Sequence, residues 1–417
     1  MREVTEEKTG CPEEETPGVV LEEILKRGAQ ALLQKAIENE VEEFLGRYKD
    51  EKTSDGLRMV VRNGYMPERR VLTGLGPIAV KQPRVDDRKL RKEKSEAGFT
   101  SRILPRYLRR IPSIDNLVPA LYLKGISTGA FPAALEAILG ERAPGLSATT
   151  VVRLKKIWEQ EYGFWARRDL HDKQYVYFWV DGIHFNVRLE DDRCCILVIM
   201  GADSAGNKEL VAISDGFRES KLSWKEILLD LKRRGLRQGP NLTIGDGGLG
   251  FWAALPEVFP ESREQLCWVH KTANVLNKLP KSLHGKCKAS LHEMYEAENK
   301  KEALKSLDHF VRLYQDKYPK ATECLLRDKD RMFTFYDFPA AHWIHIRTTN
   351  PVESTFATVR LRTKRTKGCG SRTATLTMVY KLAKETEKTW KKLKGYKQIP
   401  LVLQGVNFVD GEMKKAA

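Results

Sequence analysis

Three acidic residues, far apart in the sequence, constrain this chain more than any other feature. Asp181 ends an apolar, strand-like run that begins at Tyr175, and Asp246 ends a shorter run of the same kind. Glu353 lies in the first turn of a helix that begins at 350–351 with Asn-Pro, a good cap and first position. Acids gathered at strand ends and on a helix repel one another unless cations lie between them. Mg²⁺ suits such a set, because it binds a few carboxylate oxygens and leaves positions open for water and phosphate. The pattern therefore favours metal-dependent phosphoryl transfer.

The charge balance indicates a polyanionic partner. Among 417 residues, Lys and Arg number 72 and Asp and Glu 56, for a net charge of +16. Nucleic acid is the first candidate for such a partner, and a basic protein without one is the alternative. Hydrophobic residues make up 41% of the chain, and its length suffices for two or three domains with sizeable cores.

Cysteine usage and the absence of long apolar runs predict a cytoplasmic, nucleoid-associated protein with reduced thiols. The chain has seven cysteines, an odd number, and its first residues do not have the pattern of a signal peptide. No apolar run approaches the roughly 20 residues of a membrane span, so we expect no membrane partner.

The N-terminal third is predicted to be mainly helical. Residues 1–18 have the composition of a flexible acidic tail, and 19–48 have the period of one amphipathic helix that covers a core or pairs with another copy. The segments 70–73 and 78–82 predict a hairpin. The charge run at 84–94 predicts a linker, solvated or lying along a DNA backbone.

A helix-turn-helix-like outline follows at 103–165. Turns containing glycine separate helical stretches, and Ser147 is a good cap for a last helix that carries Arg153, Lys155 and Lys156. In a helix-turn-helix the second helix enters the major groove, so we predict DNA contacts by these three cations. Many helical hairpins share this outline. We assign 19–165 to a DNA-binding and dimerisation region.

The remainder predicts a mixed α/β sheet interrupted by helices. The expected strands are 175–181, 194–202, 209–214, 242–246 and 265–269, with helices near 223–234 and 249–258. Residues 270–341 have helical periodicity and many charges, and we interpret them as an all-helical insertion. The catalytic core then comprises 172–269 and 342–396, and 397–417 is a C-terminal tail.

The helix that holds Glu353 also predicts a DNA surface. Arg360 and Lys364 follow Glu353 at seven- and eleven-residue steps and share its side of the helix. A basic stripe beside a metal-binding carboxylate suits a phosphate backbone, although a solvated basic helix is the alternative. The predicted cationic DNA contacts here are Arg347, Arg360, Lys364, Arg365 and Lys367.

Several of these stretches resemble one family, the bacterial insertion-sequence transposases of the IS256 group, relatives of the eukaryotic Mutator-type transposases. The matching segments are Val180-Asp-Gly-Ile-His184, Ile244-Gly-Asp-Gly247, Cys267-Trp-Val-His270, Phe335-Tyr-Asp-Phe338, Arg347-Thr-Thr-Asn-Pro-Val-Glu-Ser-Thr-Phe356 and Thr363-Lys-Arg-Thr-Lys-Gly368. The likeness runs from the first long helix to near Asp410. The family usually has Ile where this chain has Val352, which is a mild change.

The resemblance implies a ribonuclease-H-like fold with a DDE triad formed by Asp181, Asp246 and Glu353. It implies two Mg²⁺ or Mn²⁺ ions, binding to the terminal inverted repeats of an insertion sequence, 3′-end cleavage, strand transfer and a circular intermediate. Two DNA ends must be brought together, so we expect a homodimer or a larger assembly on double-stranded DNA. The family also has a Cys-x-x-His pair on the strand before the insertion, here Cys267 and His270.

The Cys267 and His270 pair has two interpretations. It is half of a zinc site, although a structural zinc usually takes four Cys or His ligands and no second pair at suitable spacing is evident. Alternatively His270 lies near the active site and touches DNA or the scissile phosphate, and we count it among the catalytic residues. The tryptophans Trp252, Trp268 and Trp343 are either core residues or stacking platforms for a flipped base.

Two other functions are compatible with the same sequence. A domesticated transposase that keeps the fold would be a DNA-binding regulator without catalysis, although the intact triad argues against it. A ribonuclease or junction resolvase would use the same sheet, whereas the helix-turn-helix-like region favours specific duplex DNA.

Overall fold

The computed structural model describes residues 17–94, 98–111, 113–114, 148–185, 194–216, 218–248, 250–365 and 371–414. The chain divides into two compact units, Met1–Val152 and Arg153–Ala417. The division falls within one helix, Ala148–Ala166, so the first unit ends 13 residues before the end of the region predicted at 19–165.

In the first unit, a long helix packs on short strands. The elements are α1 (Pro17–Arg47), β1 (Val61–Tyr65), β2 (Arg69–Thr73), β3 (Gly76–Val80), β4 (Pro83–Asp86) and α2 (Arg88–Lys94). The predicted hairpin is confirmed, because β2 and β3 pair antiparallel, and β1 pairs with β4 in the same sense. Ile37 of α1 is buried with Val71, Ile78 and Val80, so this helix covers the hairpin.

The charge run at 84–94 is not a linker, and here the prediction was wrong. It forms the end of β4 and all of α2. The carboxylate of Asp87 explains the difference, because it accepts hydrogen bonds from Arg91 on α2 and from the backbone N–H of Phe99. Local capping contacts of this kind are not visible in charge composition. The predicted helix-turn-helix lies outside the described residues between 115 and 147, and its last helix is α3 (Ala148–Ala166).

The second unit is built on one five-stranded sheet. Its strands are β5 (Tyr175–Phe185), β6 (Cys194–Asp203), β7 (Lys208–Gly216), β8 (Leu242–Gly245) and β9 (Arg263–Leu266). Their order across the sheet is β7-β6-β5-β8-β9, with β5, β6 and β7 antiparallel and β5, β8 and β9 parallel. Residues 175–180 of β5 are all buried, as the apolar run predicts for a central strand with both faces covered.

Helices cover this sheet. They are α4 (Lys221–Arg233), α5 (Phe251–Val258), α11 (Trp343–Ile346), α12 (Asn350–Arg365) and α13 (Arg372–Glu387). Ser220 caps α4 by accepting the N–H of Ser223, and Trp224 and Leu228 bury its apolar face. Helix α12 contacts β5, and α13 contacts β7. The second half of α3 also belongs here, since the Tyr162 hydroxyl donates to Ile213 O of β7. No helix in the described part of the chain is long and apolar enough to cross a membrane.

The predicted helical insertion is present, but it begins at Trp268 rather than at 270. Its helices are α6 (Trp268–Leu276), α7 (His284–Glu296), α8 (Lys300–Tyr314), α9 (Pro319–Leu326) and α10 (Lys329–Met332). Strand β9 ends at Leu266, so Cys267 and His270 are not strand residues. Cys267 occupies the cap of α6 and His270 lies in its first turn.

The C-terminal segment is folded, not a tail as predicted. It forms α14 (Ile399–Leu403) and a strand pair, β10 (Phe408–Val409) with β11 (Glu412–Met413). Ile399, Val402 and Phe408 are buried. Asp410 accepts the backbone N–H of Lys300 on the insertion at 2.7 Å, which explains why the segment is held in place.

Two of the three tryptophans are core residues: Trp268 is fully buried and Trp252 nearly so. Their indole N–H groups donate to Met332 O and Asp246 O, respectively. Trp343 is partly buried, donates to Phe338 O and packs edge-on against Phe335 and Tyr336. Burial therefore leaves neither Trp252 nor Trp268 as a stacking platform.

Candidate active site

The register of the sheet places Asp181 and Asp246 side by side. In the parallel pairing of β5 with β8, Trp179 lies opposite Ile244. Two residues further along each chain are the two acids, so Asp181, within β5, lies level with Asp246, just after the end of β8. The next strand contributes to the same level of the sheet, because the Cys267 N–H donates to Gly245 O at 2.9 Å. The sheet thus brings two acids and a thiol to one level across three parallel strands.

Helix α12 brings Glu353 to this edge. Val352, Phe356 and Val359 are fully buried on one side of the helix, which contacts β5. The helix begins at Asn350, and Thr349 O accepts the N–H groups of both Val352 and Glu353 at 3.0 Å. The Glu353 side chain is 26% exposed, and its Oε1 lies 3.6 Å from Nδ1 of His270.

Thr349 connects the acid to the Cys-x-x-His pair. Its backbone N–H donates to Cys267 Sγ at 3.3 Å, and its hydroxyl donates to Glu353 Oε1. The same Oγ1 lies 3.4 Å from His270 Nδ1. Since a hydroxyl has one proton, donation to the carboxylate leaves Oγ1 to accept from the imidazole. The three contacts fix the orientation of Glu353 before any ligand binds.

Burial and neighbouring charges alter the protonation of the site. Burial raises the pKa of Asp181 to about 6, against the lowering effects of Arg360 and His270, and Glu353 and Glu219 add to the increase. Hydrogen bonding to Cys267 raises the pKa of His270 to about 9 in spite of burial, and the charges of Asp246 and Glu353 contribute. These shifts favour the protonated form of His270 and disfavour ionisation of Asp181.

The donor set fits a hard divalent cation. Asp181 Oδ2 and Asp246 Oδ1 are buried, and among the described residues neither atom has a hydrogen-bond partner. The guanidinium of Arg360 lies 3.5 Å from Asp181 Oδ2, an ion pair without a hydrogen bond. Buried carboxylate oxygens left without donors are what Mg²⁺ or Mn²⁺ would bind.

A softer metal has less support at Cys267 and His270. With Glu353, these residues place their ligand atoms within 4.8 Å of one another. The raised pKa of His270 opposes the loss of the proton that a metal would have to displace, and the Cys267 sulfur already accepts from Thr349. These contacts favour the second interpretation of the pair, with His270 as a cationic group beside the acids.

The structure describes the side chains of only some of the residues predicted to contact DNA. Lys156 and Arg360 are exposed, and Arg360 lies beside Asp181. Lys367 lies outside the described residues, as do the side chains of Arg153, Lys155, Lys364 and Arg365.

Arg347 is engaged within the protein, and its predicted DNA contact stays a prediction. Its guanidinium donates to Tyr295 O at 2.8 Å, pairs with Glu296 at 3.3 Å and lies over the Tyr295 ring. Its side chain is 19% exposed. Arg347 thus attaches the segment before α12 to helix α7.

Sequence reasoning missed one residue of this site. Thr349 belongs to a matched segment, but nothing in its spacing predicts contacts to both Cys267 and Glu353.

Comparison with known proteins agrees with these features. The chain matches the family described as "Transposase, Mutator family" over residues 6–393. It is 49% identical over 300 residues to the transposase of insertion sequence IS6120 from Mycolicibacterium smegmatis, which covers 72% of this chain and 92% of the relative. It is also 50% identical over 285 residues to the transposase of insertion sequence element IST2 from Acidithiobacillus ferrooxidans. That match covers 67% of this chain and 94% of the relative.

More distant relatives include the IS256 transposase in transposon Tn4001 from Staphylococcus aureus, 25% identical over 350 residues, covering 83% of this chain and 85% of the relative. Among solved structures, the Drosophila P element transposase strand transfer complex matches 78% of this chain and 86% of that chain, at 12% identity and a TM-score of 0.28. We draw nothing from the latter likeness.

The sheet and its acidic edge define a mixed α/β protein with a site suited to chemistry on phosphates. The sequence matches then define its family: the chain belongs to the Mutator family of transposases, as the IS256-group resemblance predicted. Its activity is the transposition of DNA, and DNA is its partner.

Proposed function

We propose that this transposase cleaves and joins DNA through a DDE triad of Asp181, Asp246 and Glu353. The observation that carries the proposal is the register of β5 and β8, which aligns two of the acids, together with their buried oxygens that lack hydrogen-bond donors. The third acid is held nearby on α12 by Thr349. The strand order β7-β6-β5-β8-β9 supports a ribonuclease-H-like core.

Two Mg²⁺ or Mn²⁺ ions would be held by these three carboxylates. When bound, such ions activate an attacking oxygen and stabilise the leaving oxygen. The carboxylates supply hard ligands at fixed positions, and their burial excludes most competing water. Burial raises the pKa of Asp181 to about 6, and a bound cation would stabilise its ionised form.

The cationic side chains would bind and orient the DNA. Arg360 lies at the mouth of the site beside Asp181, where its guanidinium can take a phosphate oxygen. His270, as an imidazolium, can donate a hydrogen bond to the scissile phosphate from the side of Glu353. Lys156 and the basic residues at 364–367 would extend the contact along the backbone.

The reaction would proceed in two displacements at phosphorus. Hydrolysis at the element end frees a 3′-hydroxyl, and that hydroxyl then attacks a phosphodiester of the target DNA. Both displacements are in line, so one set of acids can serve both. No covalent enzyme intermediate is required, and no Ser, Tyr or Cys nucleophile is assigned. We further propose recognition of the terminal inverted repeats, a circular intermediate and a working complex of at least two copies, because two ends must meet.

A cell-based assay tests this proposal. The protein is expressed with a marker flanked by the ends of its element, and end-joined circles are detected by PCR for the wild type and Glu353→Gln. We expect circles from the wild type only, with equal stability and equal DNA binding of the variant. Circles from both would mean that Glu353 is misassigned. The absence of circles from both, with repeat binding intact, would favour a DNA-binding regulator.

A further inference from the structure

The side of α6 that carries His270 continues away from the acids as an exposed polar surface. Another side of this helix is buried, with Trp268 and Val275 in the core. Asn274 and Asn277 follow His270 by four and seven residues, so they share its side of the helix. Both asparagines are exposed, and within the described part of the chain neither side-chain amide has a hydrogen-bond partner. Their donors are therefore available to a ligand.

No acid interrupts this part of the sequence. Residues 270–292 contain five lysines and three histidines but neither Asp nor Glu. In the rest of the insertion, residues 293–341, ten acids accompany nine Lys and Arg residues. The first third of the insertion thus carries its positive charge without compensation, which is the charge pattern of a surface that contacts a polyanion.

Most of these lysines are not used in ion pairs. Among the described residues, no carboxylate pairs with the four that are exposed, which are Lys278, Lys281, Lys286 and Lys288. The fifth, Lys271, is buried against Asp328. On α8, by contrast, Lys305 pairs with Glu302 of the same helix. The charges of the four exposed lysines therefore remain available, whereas neighbouring acids offset those of α8.

The exposed groups follow one another outwards from the site. His270 lies 3.6 Å from Glu353, and Asn277 lies seven residues further along α6, about 10 Å at the rise of an α-helix. Lys278 follows at the end of the helix, and Lys281 begins the short helical turn Lys281–Leu283. One strand of duplex DNA carries a phosphate about every 3.4 Å of its axis. The distance from His270 to Asn277 therefore spans about three phosphates, with the lysines beyond.

The chemistry of this surface suits the backbone of duplex DNA. The amide N–H groups of Asn and the ammonium group of Lys donate to phosphate oxygens, and such contacts position DNA without reading its sequence. Residues 270–292 contain no Phe, Tyr or Trp on which an unpaired base could stack. These residues therefore favour double-stranded over single-stranded DNA.

We propose that Asn274, Asn277, Lys278 and Lys281, together called the α6 surface, bind the phosphate backbone of duplex DNA within about one helical turn of the cleaved position. The inference rests on the proposed function, which places the cleaved phosphate beside His270. It assigns DNA binding to the insertion, where none of the predicted Lys and Arg contacts lies.

The salt dependence of binding tests the two lysines. Affinity of the full chain for a labelled duplex carrying an element end is measured by fluorescence anisotropy at several NaCl concentrations. We expect Lys278→Gln with Lys281→Gln to reduce the slope of log affinity against log salt by about 0.9 for each lysine. The reduction should be equal for an unrelated duplex. Lys317→Gln with Lys320→Gln, at exposed positions, is the control and should keep the wild-type slope.

An added charge tests the asparagines. Asn274→Asp keeps the shape of the side chain but places a carboxylate against the phosphates. We expect it to weaken DNA binding about tenfold in low salt and less in high salt. Gln404→Glu, which adds the same charge at an exposed position at the end of α14, should bind as the wild type does. Equal affinity of Asn274→Asp and the wild type would overturn the role of the asparagines.

Neutral methylphosphonate linkages locate the contact on the DNA. They are placed singly along the duplex, and the loss of affinity is compared for the wild type and the double lysine variant. A linkage that faces the α6 surface should weaken binding by the wild type but not by the variant, because that contact is already absent. We expect such positions within about 10 base pairs of the cleaved phosphate. Coupling only at more distant positions, or at none, would overturn the inference.

The outcomes separate this inference from the proposed function, since binding does not require turnover. Thermal midpoints of all variants are measured alongside. If Glu353→Gln cuts DNA as the wild type does while the double lysine variant loses slope, the triad assignment is overturned and the α6 surface stands. If Glu353→Gln is inactive and the double lysine variant keeps the wild-type slope, only the inference about the α6 surface is overturned.

Discussion

At the scale of single residues, Thr349 has the largest number of roles in the site. It is 1% exposed, and it contacts Cys267 and Glu353 and approaches His270. The hydroxyl orients the carboxylate, and the backbone oxygen begins helix α12. A group that holds a metal-binding acid in one orientation acts through that acid rather than on the DNA.

Replacing Thr349 by Val should therefore impair cleavage without unfolding the protein. Val has nearly the same volume but no hydroxyl, so one Glu353 oxygen loses its donor. We expect the rate of strand cleavage to fall between about tenfold and a hundredfold. Thr349→Ser, which retains the hydroxyl, should cleave at nearly the wild-type rate. Cleavage by the Val variant at the wild-type rate would show that the hydroxyl does not position Glu353.

His345 predicts a pH dependence of stability. Its Nε2 accepts the backbone N–H of Lys394 at 3.0 Å, and burial, assisted by nearby positive charges, lowers its pKa to about 4. The unfolded chain takes up a proton near its ordinary value of 6.5, so between pH 6.5 and 4 the unfolded state binds more protons than the folded state. Stability contributed by the neutral ring is complete above pH 6.5 and decreases as the pH falls.

We expect His345→Gln to reduce the loss of thermal stability between pH 7 and pH 5. Melting temperatures at several pH values measure this, with His309→Gln, an exposed residue on α8, as the control. Equal pH profiles for the His345 variant and the wild type would contradict the assignment.

The acids of the proposed triad could be predicted from the sequence because each has a local signal. Asp181 and Asp246 end apolar runs in the sequence, and Glu353 follows a helix start. Thr349 could not be predicted, since its importance comes from a contact with a residue 82 positions away. Such contacts are set by the packing of elements and leave no periodic trace.

At the scale of elements, a buried ion pair within the insertion joins α6, the helix that carries His270, to the segment between α9 and α10. Lys271 Nζ lies 2.5 Å from Asp328 Oδ2, with exposures of 3% and 4%, and Arg327 and Arg331 also pair with this carboxylate. Removing one partner of a buried pair leaves a charge without compensation, which usually costs about 3–5 kcal/mol.

Asp328→Asn should accordingly lower the free energy of unfolding by about 3–5 kcal/mol. Glu302→Gln is the control, because the Lys305–Glu302 pair on α8 is about half exposed and such pairs contribute about 1 kcal/mol or less. Urea denaturation measures both. A similar loss for the two variants would mean that burial does not strengthen the dependence on the Lys271 pair.

The elements themselves were predicted with uneven success. The five strands of the sheet and the insertion follow from hydrophobic period and were located to within a few residues. The predicted linker at 84–94 and the predicted tail at 397–417 were wrong, because side-chain caps and tertiary hydrogen bonds hold charged segments that composition treats as solvated.

At the scale of the whole molecule, charge and family agree. A net charge of +16 indicates a nucleic-acid partner. Membership of the Mutator family of transposases identifies that partner as DNA. The chain as a whole is basic, which attracts the phosphate backbone of DNA. The proposed site is acidic, because three carboxylates are gathered there. We propose that divalent cations bound by the carboxylates reconcile the two.

One measurement tests this claim most directly. Purified wild type is incubated with a labelled duplex carrying an element end, with Mg²⁺ or with a chelator, and compared with Asp181→Asn, Asp246→Asn and Glu353→Gln. Asp316→Asn, at an exposed position, is the control. We expect Mg²⁺-dependent cleavage by the wild type and the control, and a loss of at least a hundredfold in each triad variant with DNA binding retained. Cleavage that persists in the chelator, or in any triad variant at the wild-type rate, would contradict the account.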